Sequence, residues 1–239
     1  MRRAVLIIHG FVGSLYDNEY LMNYLNLDCK FDVFSRTLPG HHRSDNYQKT
    51  NYQDWLRFCD MWISEIISYG YKDIYIIGHS MGGILAGYLG SKYKEVKKIV
   101  FINAAYYYLN LKQNKIDIIN NKDYKDYIEV FERVVHTSIP FFLEFTKVVK
   151  NEQYNLNKIY KECLVLQSNE DQVVPIENGI KIMENIKSNN KYLTYLDRER
   201  HGIFDGSLNN IERKKEISEY IRLFLRGGRK WKMNYKEKI

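Results

Sequence analysis

Asp73-Ile74-Tyr75-Ile76-Ile77-Gly78-His79-Ser80-Met81-Gly82-Gly83-Ile84-Leu85-Ala86-Gly87 is the stretch on which the reading of this chain turns. It opens on a β-branched and aromatic run and closes on a helix-like one, with Gly-x-Ser-x-Gly between them. With 14 Gly and 12 Ser in 239 residues, composition alone yields that pattern about 0.04 times, so the flanks must decide its meaning. They place Ser80 in a sharp strand-to-helix turn, which lifts a serine hydroxyl above the end of a sheet, where it can act as a nucleophile. Glycines suit such a turn because it is strained and because neighbouring chain passes close by. Gly83, Ala86, Gly87 and Gly90 would let the following helix pack tightly on the sheet. A serine that only caps a helix in a glycine-rich turn would fit the same residues.

The same strand-then-helix rhythm extends outward in both directions. Short β-rich apolar runs at 4–8, 31–34, 74–77, 99–102, 163–166 and 192–196 alternate with helical patterns at 16–27, 52–69, 81–93, 176–187 and 207–225. Continuous apolar strands separated by helices predict an α/β fold, with a mostly parallel central sheet covered on both faces. Residues 106–160 break the rhythm. They carry helical patterns at 124–135 and 141–149 without a convincing strand, which predicts a helical insertion in a core formed by 1–105 and 161–239. No linker composition or internal repeat marks a second domain.

Composition narrows the function classes. Apolar residues at 45%, charged residues at 27% and a mean hydropathy of −0.47 describe a soluble globular chain. No apolar run approaches the ~18 residues of a membrane span. The run 4–8 behind Arg2 and Arg3 is shorter than the ~7–15 residue core of a secretory leader. Three cysteines, Cys29, Cys59 and Cys163, form no Cys-x-x-Cys pair, so reduced thiols in a cytoplasm are the expectation. Of the net charge of +7, +5 lies in the tail 226–239, a solvated end by default. The remainder is too weakly basic for a nucleic-acid surface. No metal is expected, since His41 and His42 are adjacent and no His-Glu-x-x-His occurs; without a Gly-x-Gly-x-x-Gly after a strand, no dinucleotide cofactor is expected either.

With the serine turn come His9-Gly10-Phe11 after the first strand, Leu38-Pro39-Gly40-His41 after the second, and Asp171-Gln172-Val173-Val174-Pro175 after the fifth. Together these make the chain resemble the α/β-hydrolase superfamily, in particular its small serine carboxylesterases and monoacylglycerol-lipase-like members, over nearly its whole length. The resemblance implies a hydrolase cleaving small uncharged acyl esters through an acyl-enzyme on Ser80. In the superfamily the acid and then the histidine follow the nucleophile. Of six histidines, only His201 lies beyond a plausible acid and beyond the last strand. It is the expected base, because a serine hydroxyl needs one to remove its proton. His9 and His41 belong to loop motifs, His79 is the variable residue of the turn and should point away from Ser80, and His136 lies in the insertion. Asp171 matches the family's acid, which orients the imidazole and stabilises its charged form. Glu170 is read as its solvated neighbour. Some members carry the acid after the preceding strand, but here that position reads Asn103-Ala104-Ala105, without a carboxylate.

The family's oxyanion hole takes one backbone N–H from the residue after the nucleophile, here Met81, and one from the loop after the first strand, here Phe11. The Phe11 side chain should wall the acyl pocket. Residues 106–160 correspond to the family's cap, whose aromatics (Tyr106, Tyr107, Tyr108, Phe131, Phe141, Phe142, Phe145) pack against the core or line that pocket. Two further readings stay open: the same triad acting as an acyltransferase, thioesterase, C–C bond hydrolase or peptidase, and a non-catalytic binding protein on this fold. Dehalogenases and epoxide hydrolases are disfavoured, because they carry aspartate where this chain has Ser80.

Overall fold

A computed structural model describes residues 2–41, 49–106, 139–171, 173–204 and 211–227. Six strands are present among them: β1 (Arg3–Ile8), β2 (Phe31–Ser35), β3 (Ile74–His79), β4 (Val96–Ile102), β5 (Glu162–Ser168) and β6 (Lys191–Leu196). They form one sheet in the order β2-β1-β3-β4-β5-β6, and every pairing is parallel. All six coincide with the apolar runs of the sequence. The four inner strands are buried almost throughout, whereas the edge strands β2 and β6 are mostly half-buried. This is why the inner strands read as continuous apolar runs: each has a helix layer over both faces.

Alternate side chains of β1 separate the two layers. Ala4, Leu6 and Ile8 face one core with α2 (Tyr52–Ser68), α3 (Met81–Lys92), α4 (Ile139–Glu152) and α5 (Glu177–Asn185); Val5 and Ile7 face the other with α1 (Glu19–Asn26) and α6 (Ile211–Arg226). In α2, Asn51 caps the helix and Asp54 returns the bond to the Asn51 amide at 2.8 Å. Trp55, Cys59, Trp62, Ile63 and Ile66 then recur at helical spacing as its buried stripe. Helix α3 has no polar face over most of its length: Met81 to Gly87, Leu89 and Gly90 are all buried, so it runs through the core.

The expected helix at 16–27 is divided, a 3₁₀ turn over Leu15–Asn18 leading into α1. Ser14 closes a capping box on that turn with Asp17, which tightens its start. The pattern at 141–149 lies within α4. The expected helix at 124–135, with Tyr107, Tyr108, Phe131 and His136, lies outside the described residues, as do residues 207–210 of the expected last helix. Tyr106 ends the described stretch after β4, buried, with its hydroxyl donating to the Gly83 carbonyl at 3.3 Å.

Candidate active site

Strand order reverses between β1 and β3, which lie side by side with Ile8 opposite Gly78, while their neighbours diverge to opposite edges. A crevice opens beyond the carboxyl ends of strands at such a switch point, and ligands bind there. Ser80 follows β3 directly, with φ 53° and ψ −119°, a backbone conformation that a serine keeps only when its surroundings impose it. Its amide donates to the Ile102 carbonyl at 2.9 Å, and its own carbonyl accepts from Gly83 at 3.0 Å and Ala105 at 3.2 Å. A side chain at Gly82 would collide with the Ile8 and His9 carbonyls, and one at Gly83 with the Ala104 methyl, so the turn is wedged between β1 and the chain leaving β4. Met81 is the first residue of α3, and its N–H is among the amides that an α-helix leaves unbonded at its positive end.

The loop after β1 reaches the same place. A Cβ on Gly10 would stand 3.0 Å from the Ser80 Cβ and 3.6 Å from its Oγ, so the backbone leading to Phe11 passes beside the hydroxyl. His9 braces this loop. Its Nε2 accepts from the Leu38 amide at 2.9 Å, which leaves Nδ1 as the protonated nitrogen facing the Gly10 carbonyl at 2.7 Å. The Phe11 ring stacks on Phe141 at 5.1 Å and on Phe145 at 4.9 Å, with Trp55 and His41 edge-on at 6.2 and 5.9 Å. Helix α4 therefore sits directly on the residue expected to supply an oxyanion donor.

Asp171 and His201, thirty positions apart, meet through Oδ2 and Nδ1 at 2.8 Å. The Asp171 carboxylate is fully shielded, and the His201 side chain is 17% exposed. The second oxygen of Asp171 accepts from the amides of Val173 and Val174, both at 2.8 Å, which fixes the carboxylate's direction. Glu170 is exposed, as a solvated neighbour should be, although its amide donates to the Glu199 carbonyl.

Two residues that sequence reasoning passed over hold the loop that carries His201. His79, read from the sequence only as the variable residue of the turn, donates through Nε2 to the His201 carbonyl at 2.8 Å, with the two rings 5.0 Å apart. Burial, and after it the nearby His201 ring, pulls the His79 imidazole down to about 4, so it stays neutral. A neutral ring there adds no like charge when His201 becomes an imidazolium. Asn103, fully buried with φ 44°, donates through Nδ2 to the carbonyls of His201 (3.0 Å) and Arg200 (3.3 Å). Its available signal was a lone amide side chain at the end of a buried apolar strand. Further along the loop, the buried Glu199 pairs with Arg213 of α6 at 3.1 Å.

The thiols of Cys59 and Cys163 are pushed up by burial, which makes them poor nucleophiles. Among the described residues no group of three or more His, Cys, Asp or Glu side chains is placed to hold a metal ion, and no helix is long and apolar enough to cross a membrane.

The chain as a whole is similar to known proteins. The family described as "alpha/beta hydrolase fold" matches residues 3–122, and "BAAT / Acyl-CoA thioester hydrolase C terminal" matches residues 68–197. A thermostable monoacylglycerol lipase of Bacillus sp. (strain H-257) is 26% identical over 216 residues, covering 83% of this chain and 82% of its own. A carboxylesterase of Bacillus subtilis (strain 168) is 22% identical over 215 residues, covering 84% and 85%. In three dimensions a metagenome-derived lipolytic enzyme superposes with a TM-score of 0.73 over 94% of both chains at 22% identity. Turn, sheet order and sequence agree: the chain belongs to the α/β-hydrolase fold family.

Proposed function

We propose that the protein is a carboxylic ester hydrolase of the esterase/lipase type, working through an acyl-enzyme on Ser80. His201 removes the Ser80 proton as the hydroxyl oxygen attacks the ester carbonyl. Asp171 holds the imidazole by Nδ1, leaving Nε2 as the proton-accepting nitrogen, and stabilises the imidazolium that forms. The backbone N–H groups of Phe11 and Met81 take the negative charge of the tetrahedral intermediate. His201 then returns its proton to the departing alcohol. Water repeats the sequence in reverse, releasing the acid and restoring the hydroxyl.

The observation carrying this reading is the shielded Asp171–His201 pair at 2.8 Å, on a loop whose carbonyl is bonded to the residue preceding a strained serine. Relatives named as a monoacylglycerol lipase and a carboxylesterase support the substrate class, an uncharged acyl ester. Residues 106–160 are taken as a cap, with the Phe11, Phe141 and Phe145 rings as apolar wall for the acyl group. Three free cysteines accord with a reducing, cytoplasmic setting.

The test is a chain-length series of p-nitrophenyl esters set beside an acyl-CoA thioester and an aminoacyl arylamide. An organophosphonate should stop turnover and leave its adduct on the peptide carrying Ser80. Hydrolysis of the thioester in preference to every ester would move the substrate class, and hydrolysis of none would leave a binding protein.

A further inference from the structure

A base works only while its Nε2 stays within reach of the serine hydroxyl. The bond to Asp171 governs how the His201 ring is turned, but it does not fix the main chain that carries the ring. The Arg200 and His201 carbonyls accept from His79 and Asn103 in contacts of 2.8, 3.0 and 3.3 Å. These contacts are partly buried, where a carbonyl left without a donor is costly, so the bonds hold the loop in place.

The donors are themselves fixed. His79 ends β3 in register with Ile102 of β4. The Asn103 amide donates to the Leu166 carbonyl at 2.9 Å, its Oδ1 accepts from the Ser168 amide at 2.8 Å, and its Nδ2 also reaches Ser168 Oγ at 2.9 Å. Its left-handed backbone is one that asparagine tolerates better than most residues. We propose that His79 and Asn103 are positioning residues that clamp the His201 main chain to the ends of β3, β4 and β5, so that base and nucleophile share one rigid connection. Because His79 is covalently joined to Ser80, that connection is a single peptide unit long. The proposal rests on the assignment of Ser80 and His201 made above.

Displacing a reacting group by about 1 Å costs on the order of 10²-fold in rate. His79→Leu, which keeps the bulk and removes the donor, should therefore lower kcat about 10- to 100-fold. KM should stay within about twofold, and phosphonate labelling of Ser80 should slow by a similar factor. His79→Gln, which restores an N–H, should recover most of that loss. Asn103→Asp, which turns an oxygen toward both carbonyls, should mimic His79→Leu and serves as the test if the leucine variant does not fold. A folded His79→Leu with unchanged kcat, or equal losses in the leucine and glutamine variants, overturns the clamp. Turnover that survives Ser80→Ala overturns it together with the site assignment beneath it.

Discussion

Ser80 and His201 are held in place by different balances of near and distant contacts. Much of the constraint on the serine comes from its own stretch of chain: a strained backbone at φ 53°, its place at the start of α3 and the glycines that let β1 and the chain after β4 close in. Backbone bonds to Ile102 and Ala105 are added from β4 and beyond. The histidine is fixed by residues far away in sequence, with Asp171, Asn103 and His79 lying 30, 98 and 122 positions from it. Local constraint leaves a motif that can be read. Distant constraint leaves single residues whose meaning appears only when the chain has folded.

That contrast can be broken at its strongest point first. Ser80→Ala should reduce kcat by on the order of 10⁴–10⁶-fold while leaving the thermal midpoint nearly unchanged, since the change removes a single oxygen from a largely buried side chain. Full activity in this variant, or phosphonate labelling of another residue, would remove the serine from the mechanism. Asp171→Asn should cost up to ~10⁴-fold, because an amide in place of the carboxylate favours the wrong imidazole tautomer. Glu170→Gln, on an exposed side chain, should change little. Comparable losses at both positions would mean that the acid is misassigned.

On the Ser80 side the vulnerable element is packing. Gly82→Ala would drive a methyl group into the carbonyls of Ile8 and His9, both part of closely packed backbone. Overpacking of this kind costs about 1–3 kcal/mol, which for a chain of this size lowers the midpoint by roughly 2–4 °C per kcal/mol. Activity should fall with it, because the same shift moves the turn. An alanine variant with wild-type midpoint and rate would show that the turn has room to relax.

The sheet was almost entirely legible because its inner strands are buried on both faces, and burial on both faces demands an uninterrupted apolar run. Ser80, Asp171 and His201 were nominated for a different reason: each follows a strand, where motif and chain order both constrain the choice, and the fold brings Asp171 and His201 together at 2.8 Å. His79 and Asn103 were not, because a hydrogen bond to a carbonyl imposes no pattern on the sequence around it. In the sequence, the position of Asn103 is informative only for the carboxylate it lacks. The division of the first helix at Asn18 was missed as well, since a 3₁₀ turn and an α-helix present similar apolar spacing over four residues.

The smallest expected effect concerns stability in acid and isolates His79 from the rest of the site. An imidazole free in the unfolded chain titrates near ~6.5, whereas in the fold that of His79 is held down to about 4. Burial is the main cause and the neighbouring His201 the next, partly offset by the His201 carbonyl and the Asp171 charge. Between these two values the unfolded chain binds a proton that the folded chain refuses. The contribution is therefore fully present above about pH 6.5, declines as the pH falls, and is gone below about 4. Glutamine at position 79 keeps a donor for the His201 carbonyl but does not titrate. His79→Gln should accordingly flatten the loss of stability between pH 6.5 and 4, measured by denaturant midpoints at fixed ionic strength. At neutral pH the same variant should stay close to the wild type in kcat. Curves that fall in parallel for both proteins would mean that His79 accepts its proton in the folded state as readily as in the unfolded one, and that it is not the neutral donor required beside His201.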